Sequence, residues 1–288
     1  MKDEKNKKQK VISGITDLPL DNWREYEDIM TDSLWVLGGR DKGGNHSGHY
    51  HGNFIPQIPN QLMRRYMGSE GVVLDTFMGS GTTLIEAKKM GRNAIGIELL
   101  PNVAENAKVA IDGQESLDDN KFQQIVQGDS TSKEARNDVE KILNEKGKKE
   151  LDLILMHPPY HDIIKFSDQP NDLSNSNSIE QFVDDFGKIV GNFVDILKDE
   201  HYIGIVIGDK YENSEWIPLS FHLMNNVMQS FPELMLKSVI VKNMSGNRAK
   251  LNQQKLWRYR ALVGGFYIFT HEYILLFRKR KTKNKKTL

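Results

Sequence analysis

Two short stretches concentrate the residues able to do chemistry: Asp75-Thr-Phe-Met-Gly-Ser-Gly-Thr-Thr83 and His157-Pro-Pro-Tyr160. In the first, Gly79 and Gly81 stand where a chain turning from strand to helix needs freedom of φ. Such a turn presents backbone N–H donors at a helix N-terminus and lets a ligand come close. Carboxylates recur beside it: Asp75 before the turn, Glu98 23 residues later at the end of Asn93-Ala-Ile-Gly-Ile-Glu98, and Asp129 in Gly128-Asp-Ser130. An acid closing the second strand accepts hydrogen bonds from ribose hydroxyls. Asp129 is placed to hold an adenine amino group. In the second stretch a rigid Pro158-Pro159 pair fixes a backbone carbonyl between an imidazole and a phenol ring.

Both stretches close runs of β-forming apolar residues, Gly71-Val-Val-Leu74 and Leu151-Asp-Leu-Ile-Leu-Met156. They are therefore expected at carboxyl ends of strands in one sheet, where open α/β sheets bind ligands. Strand and helix patterns alternate between them: 72–77 then 83–90, 94–98 then 101–110, 122–128 then 133–147, and 151–156. That succession implies a parallel sheet with right-handed crossovers. A helix over 179–197 and a strand over 202–209 follow, then a helix over about 216–230 and strands over 234–241 and 271–277. Asn60 is the expected cap of a short helix, 61–67. The polar segment 161–178, rich in Asn, Asp, Ser and Pro, reads as a mobile functional loop. Gly81 is followed by Thr82-Thr83 rather than lysine, which disfavours a P-loop nucleotidase. A nicotinamide enzyme stays open, although the third spaced glycine of its fingerprint is missing. A nucleoside ligand without phosphates, such as S-adenosylmethionine, suits the pattern better.

At 288 residues the chain can form one large core, and no apolar run approaches the ~20 residues of a membrane span. The lysine-rich start lacks an apolar secretion signal, so the cytoplasm is the expected compartment. There is no cysteine, which removes disulfides, thiolate metal sites and cysteine nucleophiles together. The net charge is zero, yet residues 1–10 carry five lysines against two acids and 278–288 carry seven basic residues and no acid, leaving 11–277 at −10. Basic ends on an acidic body can steer toward a polyanion. His46, His49 and His51 have metal-like spacing, but without nearby acids or thiols zinc is not expected, and His51 is assigned to the cofactor segment.

The glycine-threonine turn combined with His157-Pro-Pro-Tyr160 resembles the amino-methylating DNA methyltransferases, whose tetrapeptide has the form Asp/Asn/Ser-Pro-Pro-Tyr/Phe. The resemblance covers about 50–279: His51-Gly-Asn-Phe-Ile-Pro-Gln-Ile-Pro59 is similar to the family's methionine-contacting segment, and His271 to Lys279 to its last strand. It implies an α/β, Rossmann-like class I methyltransferase sheet of seven strands, six parallel and one antiparallel, with helices on both faces. It implies S-adenosyl-L-methionine held by Asn53, Phe54, Ile55, Pro56, Asp75, Phe77, Gly79, Gly81, Thr82, Thr83, Glu98 and Asp129, with His157, Pro158, Pro159 and Tyr160 catalytic. The division that follows is an N-terminal extension at 1–50, a catalytic domain at 51–279 and a basic tail at 280–288. The expected partner is double-stranded DNA, with a companion restriction enzyme as a further candidate and no metal or membrane.

Chemistry agrees with the resemblance. The lone pair of an exocyclic base amine is delocalised into the ring, so acceptors must draw on its N–H groups before it attacks a methyl carbon in line. The Pro158 carbonyl and the side chain at 157 can accept, while Tyr160 stacks on the extruded base. Methylation at cytosine carbon 5 is excluded, because it needs a nucleophilic cysteine. The family usually has Asp, Asn or Ser where this chain has His157. A neutral imidazole can accept, and activity is then expected to fall as it protonates near ~6.5. The histidine leaves adenine against cytosine open. Between 240 and 270 there is no acid, and Lys242, Arg248, Lys250, Lys255, Trp257, Arg258 and Arg260 are the expected DNA contacts. Two rivals remain, an RNA amino-methyltransferase and an inactive nucleic-acid-binding relative.

Overall fold

The computed structural model describes residues 15–46, 50, 52–244 and 254–282, with the side chains of 254 and 255 left aside. In chain order the main elements are β1 (Leu34–Trp35), α1 (Gln57–Tyr66), β2 (Val72–Asp75), α2 (Thr82–Lys89), β3 (Asn93–Glu98), α3 (Pro101–Asp112), β4 (Gln123–Gln127), α4 (Lys133–Glu145) and β5 (Leu151–Met156). They continue with α5 (Ile179–Phe193), β6 (Leu197–Ile207), β7 (Lys210–Glu212), β8 (Glu215–Ile217), α6 (Leu219–Ser230), β9 (Leu234–Asn243), α7 (Gln254–Gly264) and β10 (His271–Lys279).

Strands β2, β3 and β5 are buried at every residue, as strands covered on both faces must be. Successive side chains point to opposite faces. Val72 and Leu74 join Val139 and Leu143 of α4, Phe186 and Phe193 of α5 and Leu223 of α6 in one core. Val73 joins Leu62 and Met63 of α1, Leu84 and Ile85 of α2 and Ile111 of α3 in the other. Helices α1–α3 therefore cover one face and α4–α6 the opposite one.

The sheet order is β1-β9-β10-β6-β5-β2-β3-β4. Strand β10 runs antiparallel to both β6 and β9, and the other pairings are parallel. Without β1 this is the expected set of seven strands, six in one direction and one against them. The eighth, β1, pairs with β9 through Leu34 and Trp35. Two residues carry no periodicity to read, and the pairing is anchored by Trp35, which is 1 % exposed. Residues 15–46 thus pack on the body rather than apart from it: Thr16 Oγ1 donates to Arg64 O, and Met30 N to Gln61 Oε1.

Two local expectations are corrected. Helix α1 starts at Gln57, with Pro56 at its N-cap, because proline suits a first turn whose N–H groups have no partner in the helix. Asn60 is therefore inside the helix and reaches across to Glu86 Oε2 at 2.9 Å. The helix expected from 216 begins at Leu219, because 210–217 forms a hairpin whose turn residues Asn213 and Ser214 both have positive φ, as a two-residue I′ turn requires. Segment 161–178 contains two short 3-10 turns. Asp172 accepts from Ser174 and Ser167, while Asn175 donates to the carbonyls of Ser167 and Gln169. Among the described residues no helix is long and apolar enough to cross a membrane.

From β2 the chain proceeds outward to β3 and β4, then returns to β5 on the other side of β2. Such a reversal opens a crevice at the carboxyl ends of the two strands. Asp75 lies opposite Leu155, so the glycine turn and the diproline turn leave the sheet side by side.

Candidate active site

Gly79 and Gly81 take φ of +53° and +84°, the left-handed region that favours glycine. Three bonds brace this turn. Thr76 N donates to Leu155 O, Met78 N to Ile97 O, and Ser130 Oγ to Thr76 O at 2.7 Å. Glu98 caps it from β3, accepting from Gly79 N and from Leu100 N, each at 2.9 Å. Burial raises the Glu98 carboxyl above its ordinary range. Asp75 is buried behind the turn, where Oδ2 accepts from Thr83 Oγ1 at 2.5 Å and Oδ1 from Phe77 N at 3.0 Å. Burial pushes its carboxyl up to about 6.

A cavity of about 1010 Å³ opens over both turns. Asn53, Phe54, Phe77, Gly79, Thr82, Glu98 and Asp129 line one part, and His157, Pro158, Pro159 and Tyr160 another. Thr76 Oγ1 and Thr82 Oγ1 are buried without a hydrogen-bond partner among the described residues, and both residues face this space. Unpaired hydroxyls, a glycine cradle and two carboxylates form a donor and acceptor set that fits a nucleoside with a polar tail. Segment 161–178 closes one side: Phe166 and Asn171 line the cavity, and Asn171 Nδ2 donates to Asp129 Oδ2 at 3.2 Å.

At the second turn the tyrosine is fixed by its hydroxyl, which donates to Glu272 Oε2 at 2.8 Å. Lys242 Nζ meets Glu272 Oε1 at 2.6 Å, and His157 Nε2 lies 3.2 Å from the Tyr160 hydroxyl. The Tyr160 phenol is raised well above its ordinary value by burial and by Glu272. Burial lowers His157 to about 4. The expected loss of activity near ~6.5 is therefore corrected: His157 is neutral across that range. Around the mouth, Tyr211 stacks on Phe266 with centroids 4.1 Å apart, and Trp257 of α7 lines the wall.

Several expected residues are elsewhere. Asp75, Gly81 and Thr83 shape the turn without lining the cavity, and Ile55 and Pro56 lead into α1 outside it. Lys242 is withdrawn as a DNA contact: it is 4 % exposed and paired with Glu272. Arg258 and Arg260 are exposed on α7, with the Arg260 guanidinium 5.4 Å from the Trp257 ring centroid. Arg248, Lys250 and the Lys255 side chain lie outside the described residues, as do His49 and His51. His46 is bonded to Glu86 at 2.8 Å, and no cluster among the described residues could hold a metal. Glu272, Lys210, Tyr211 and Phe266 are lining residues that the sequence reading missed. Glu272 alone left a signal, an acid at the head of the apolar run Tyr273-Ile-Leu-Leu-Phe277.

A protein-family profile described as DNA methylase matches residues 1–109 and 151–288. Over 52 residues the chain is 44 % identical to the Type II methyltransferase M.MjaII of Methanocaldococcus jannaschii, covering 18 % of this chain and 10 % of that one. Over 47 residues it is 45 % identical to M.ScaI, a Type II methyltransferase of Streptomyces caespitosus, covering 15 % and 16 %. The chain thus spans less than a fifth of the length of these curated relatives. Among solved structures, TrmN from Thermus thermophilus superposes with a TM-score of 0.49 at 14 % identity, over 80 % of this chain and 50 % of that one.

Proposed function

Because the chain belongs to the N6/N4 DNA methylase family, we propose that it transfers a methyl group from S-adenosyl-L-methionine to the exocyclic amine of adenine or cytosine in DNA, on a base turned out of the duplex. The observation that carries this reading is the single cavity lined by Gly79 and Glu98 on one side and by Pro158 and Tyr160 on the other. What S-adenosyl-L-methionine supplies when bound is a methyl carbon on a sulfonium, a leaving group already activated by its charge. Glu98 accepts from ribose hydroxyls, Asp129 from the adenine amine, and Thr82 and the Gly79 turn hold the remaining polar groups. Phe54, Asn53 and Phe77 enclose them.

His157 and the Pro158 carbonyl accept from the two N–H groups of the target amine, drawing its lone pair out of conjugation. Tyr160, anchored through Glu272, offers a ring on which the flipped base stacks. The nitrogen gains a methyl group and releases one proton per turnover. Helix α7 supports a duplex lying across the mouth: Trp257 lines the cavity while Arg258 and Arg260 are exposed on the same helix. Arg248, Lys250 and Lys255 belong to this proposed contact by charge. The Type II names of the relatives suggest a restriction-modification setting, and a companion restriction enzyme and a cytoplasmic location belong to this proposal. Incubating the chain with labelled cofactor and with DNA or RNA, then identifying the methylated nucleoside by mass spectrometry, tests the reading. Label found only in RNA, or in neither, overturns it.

A further inference from the structure

We propose that Lys242, Glu272 and Tyr160 form a positioning relay that fixes which nitrogen of His157 carries its proton, leaving Nδ1 as the bare acceptor for the target amine. The proposal rests on reading His157-Pro-Pro-Tyr160 as the target-base site. It starts in the sheet, where Lys242 of β9 and Glu272 of β10 are direct cross-strand partners. Both are at least nine-tenths buried, at 4 % and 7 % exposure. Buried charges are costly to desolvate, and two strands could pair more cheaply through apolar residues. Here the pair sits against the cavity, and Glu272 lines it.

The hydrogen-bond directions follow in order. Glu272, against the Lys242 ammonium, is a carboxylate and can only accept. The Tyr160 hydroxyl therefore donates its one proton to Glu272 Oε2, and its oxygen is left to accept. His157 Nε2, 3.2 Å away, must then be the donor. A neutral imidazole has one N–H, so Nδ1 carries the lone pair. A second ring nitrogen set by a neighbour's hydrogen bond is the usual way histidine tautomers are chosen. Burial favours the neutral ring, so one nitrogen donates while the other accepts. Aspartate or asparagine at position 157 would present an acceptor oxygen without help. Histidine does so only if its other nitrogen is held protonated, and the relay meets that requirement. Glu272 and Lys242 act through Tyr160 and His157 and are positioning residues.

The test is nitrogen NMR on the full chain with ¹⁵N-labelled histidine, the His157 signals being identified by their loss in His157→Gln. The expected wild-type spectrum has a protonated, pyrrole-type Nε2 and a pyridine-type Nδ1. Tyr160→Phe keeps the stacking ring and removes the hydroxyl. Its His157 shifts should move toward their average, and single-turnover methyl transfer should slow about tenfold, the worth of one neutral hydrogen bond, with cofactor affinity unchanged. Glu272→Gln should move the same signals in the same direction. A wild-type His157 protonated on Nδ1 overturns the relay, as does a Tyr160→Phe variant with unaltered shifts and rate. A chain that shows the Nε2–H tautomer but methylates no nucleic acid upholds the relay and overturns the proposed function instead.

Discussion

A methyl group placed on Gly208 would stand 2.6 Å from Cε2 and 3.1 Å from Cδ2 of Tyr160. Ordinary carbon contacts lie at ~3.5–4.0 Å, so Gly208→Ala forces the ring to retreat by about 1 Å. The ring is not free to do so without loss, since its hydroxyl is bonded to Glu272 at 2.8 Å and to His157 at 3.2 Å. Overpacking of this kind costs ~1–3 kcal/mol, which a domain with ~5–15 kcal/mol of stability survives. The cost to rate is larger, because misplacing a reacting partner by ~1 Å slows a reaction on the order of 100-fold. Single-turnover transfer of labelled methyl to unmodified DNA measures the rate, calorimetry the cofactor affinity, and thermal melting the fold. The expected result is a folded variant, slower by about two orders of magnitude, that binds cofactor as the wild type does. A folded Gly208→Ala with wild-type rate would refute the claim that the Tyr160 ring position controls transfer.

Three further outcomes are expected. Glu98→Gln should weaken cofactor binding ~10–100-fold by calorimetry, since a charge-assisted hydrogen bond is worth ~1.5–3 kcal/mol; unchanged affinity would remove Glu98 from the ribose site. With His157 lowered to about 4, the pH–rate profile should show no falling limb near ~6.5 from this residue. The unfolded chain binds a proton at His157 below ~6.5 and the folded chain only below about 4, so its contribution to stability is complete above ~6.5 and is lost as pH falls toward 4. Urea midpoints between pH 4 and 7 should therefore fall more steeply with acid in the wild type than in His157→Gln; parallel curves would contradict the burial argument. Arg258→Ala and Arg260→Ala should each weaken DNA binding and lower the slope of log K against log salt by ~1, without touching cofactor affinity; full binding in both would remove α7 from the duplex contact.

The parts of this protein that could be read from its sequence are those written in local periodicity. The runs 72–75, 93–98 and 151–156 are mostly apolar because they are buried on both faces of the sheet, and that separates them from their helices. Gly79 and Gly81 announce a turn because other residues avoid its φ values. The illegible parts depend on cross-strand register. Lys242 looks like one more cation in an acid-free stretch until β9 is set against β10 and Glu272 faces it. Asp75 and Thr83 stand in the cofactor motif yet bond to each other behind it. The motif marks the turn without separating its lining from its bracing. Hairpin 210–217 leaves no readable pattern, because its three-residue strands are too short to show one, and its last two residues fall inside the helix expected from about 216.

The central claim is that the two turns place a methyl donor beside the amine of an extruded DNA base. Its most direct measurement is nucleoside mass spectrometry of DNA and RNA from cells producing this chain, set against cells producing Tyr160→Ala. The account predicts N6-methyldeoxyadenosine or N4-methyldeoxycytidine in DNA from the first culture and a sharp loss in the second. No new methylated deoxynucleoside, or equal amounts in both cultures, would contradict it.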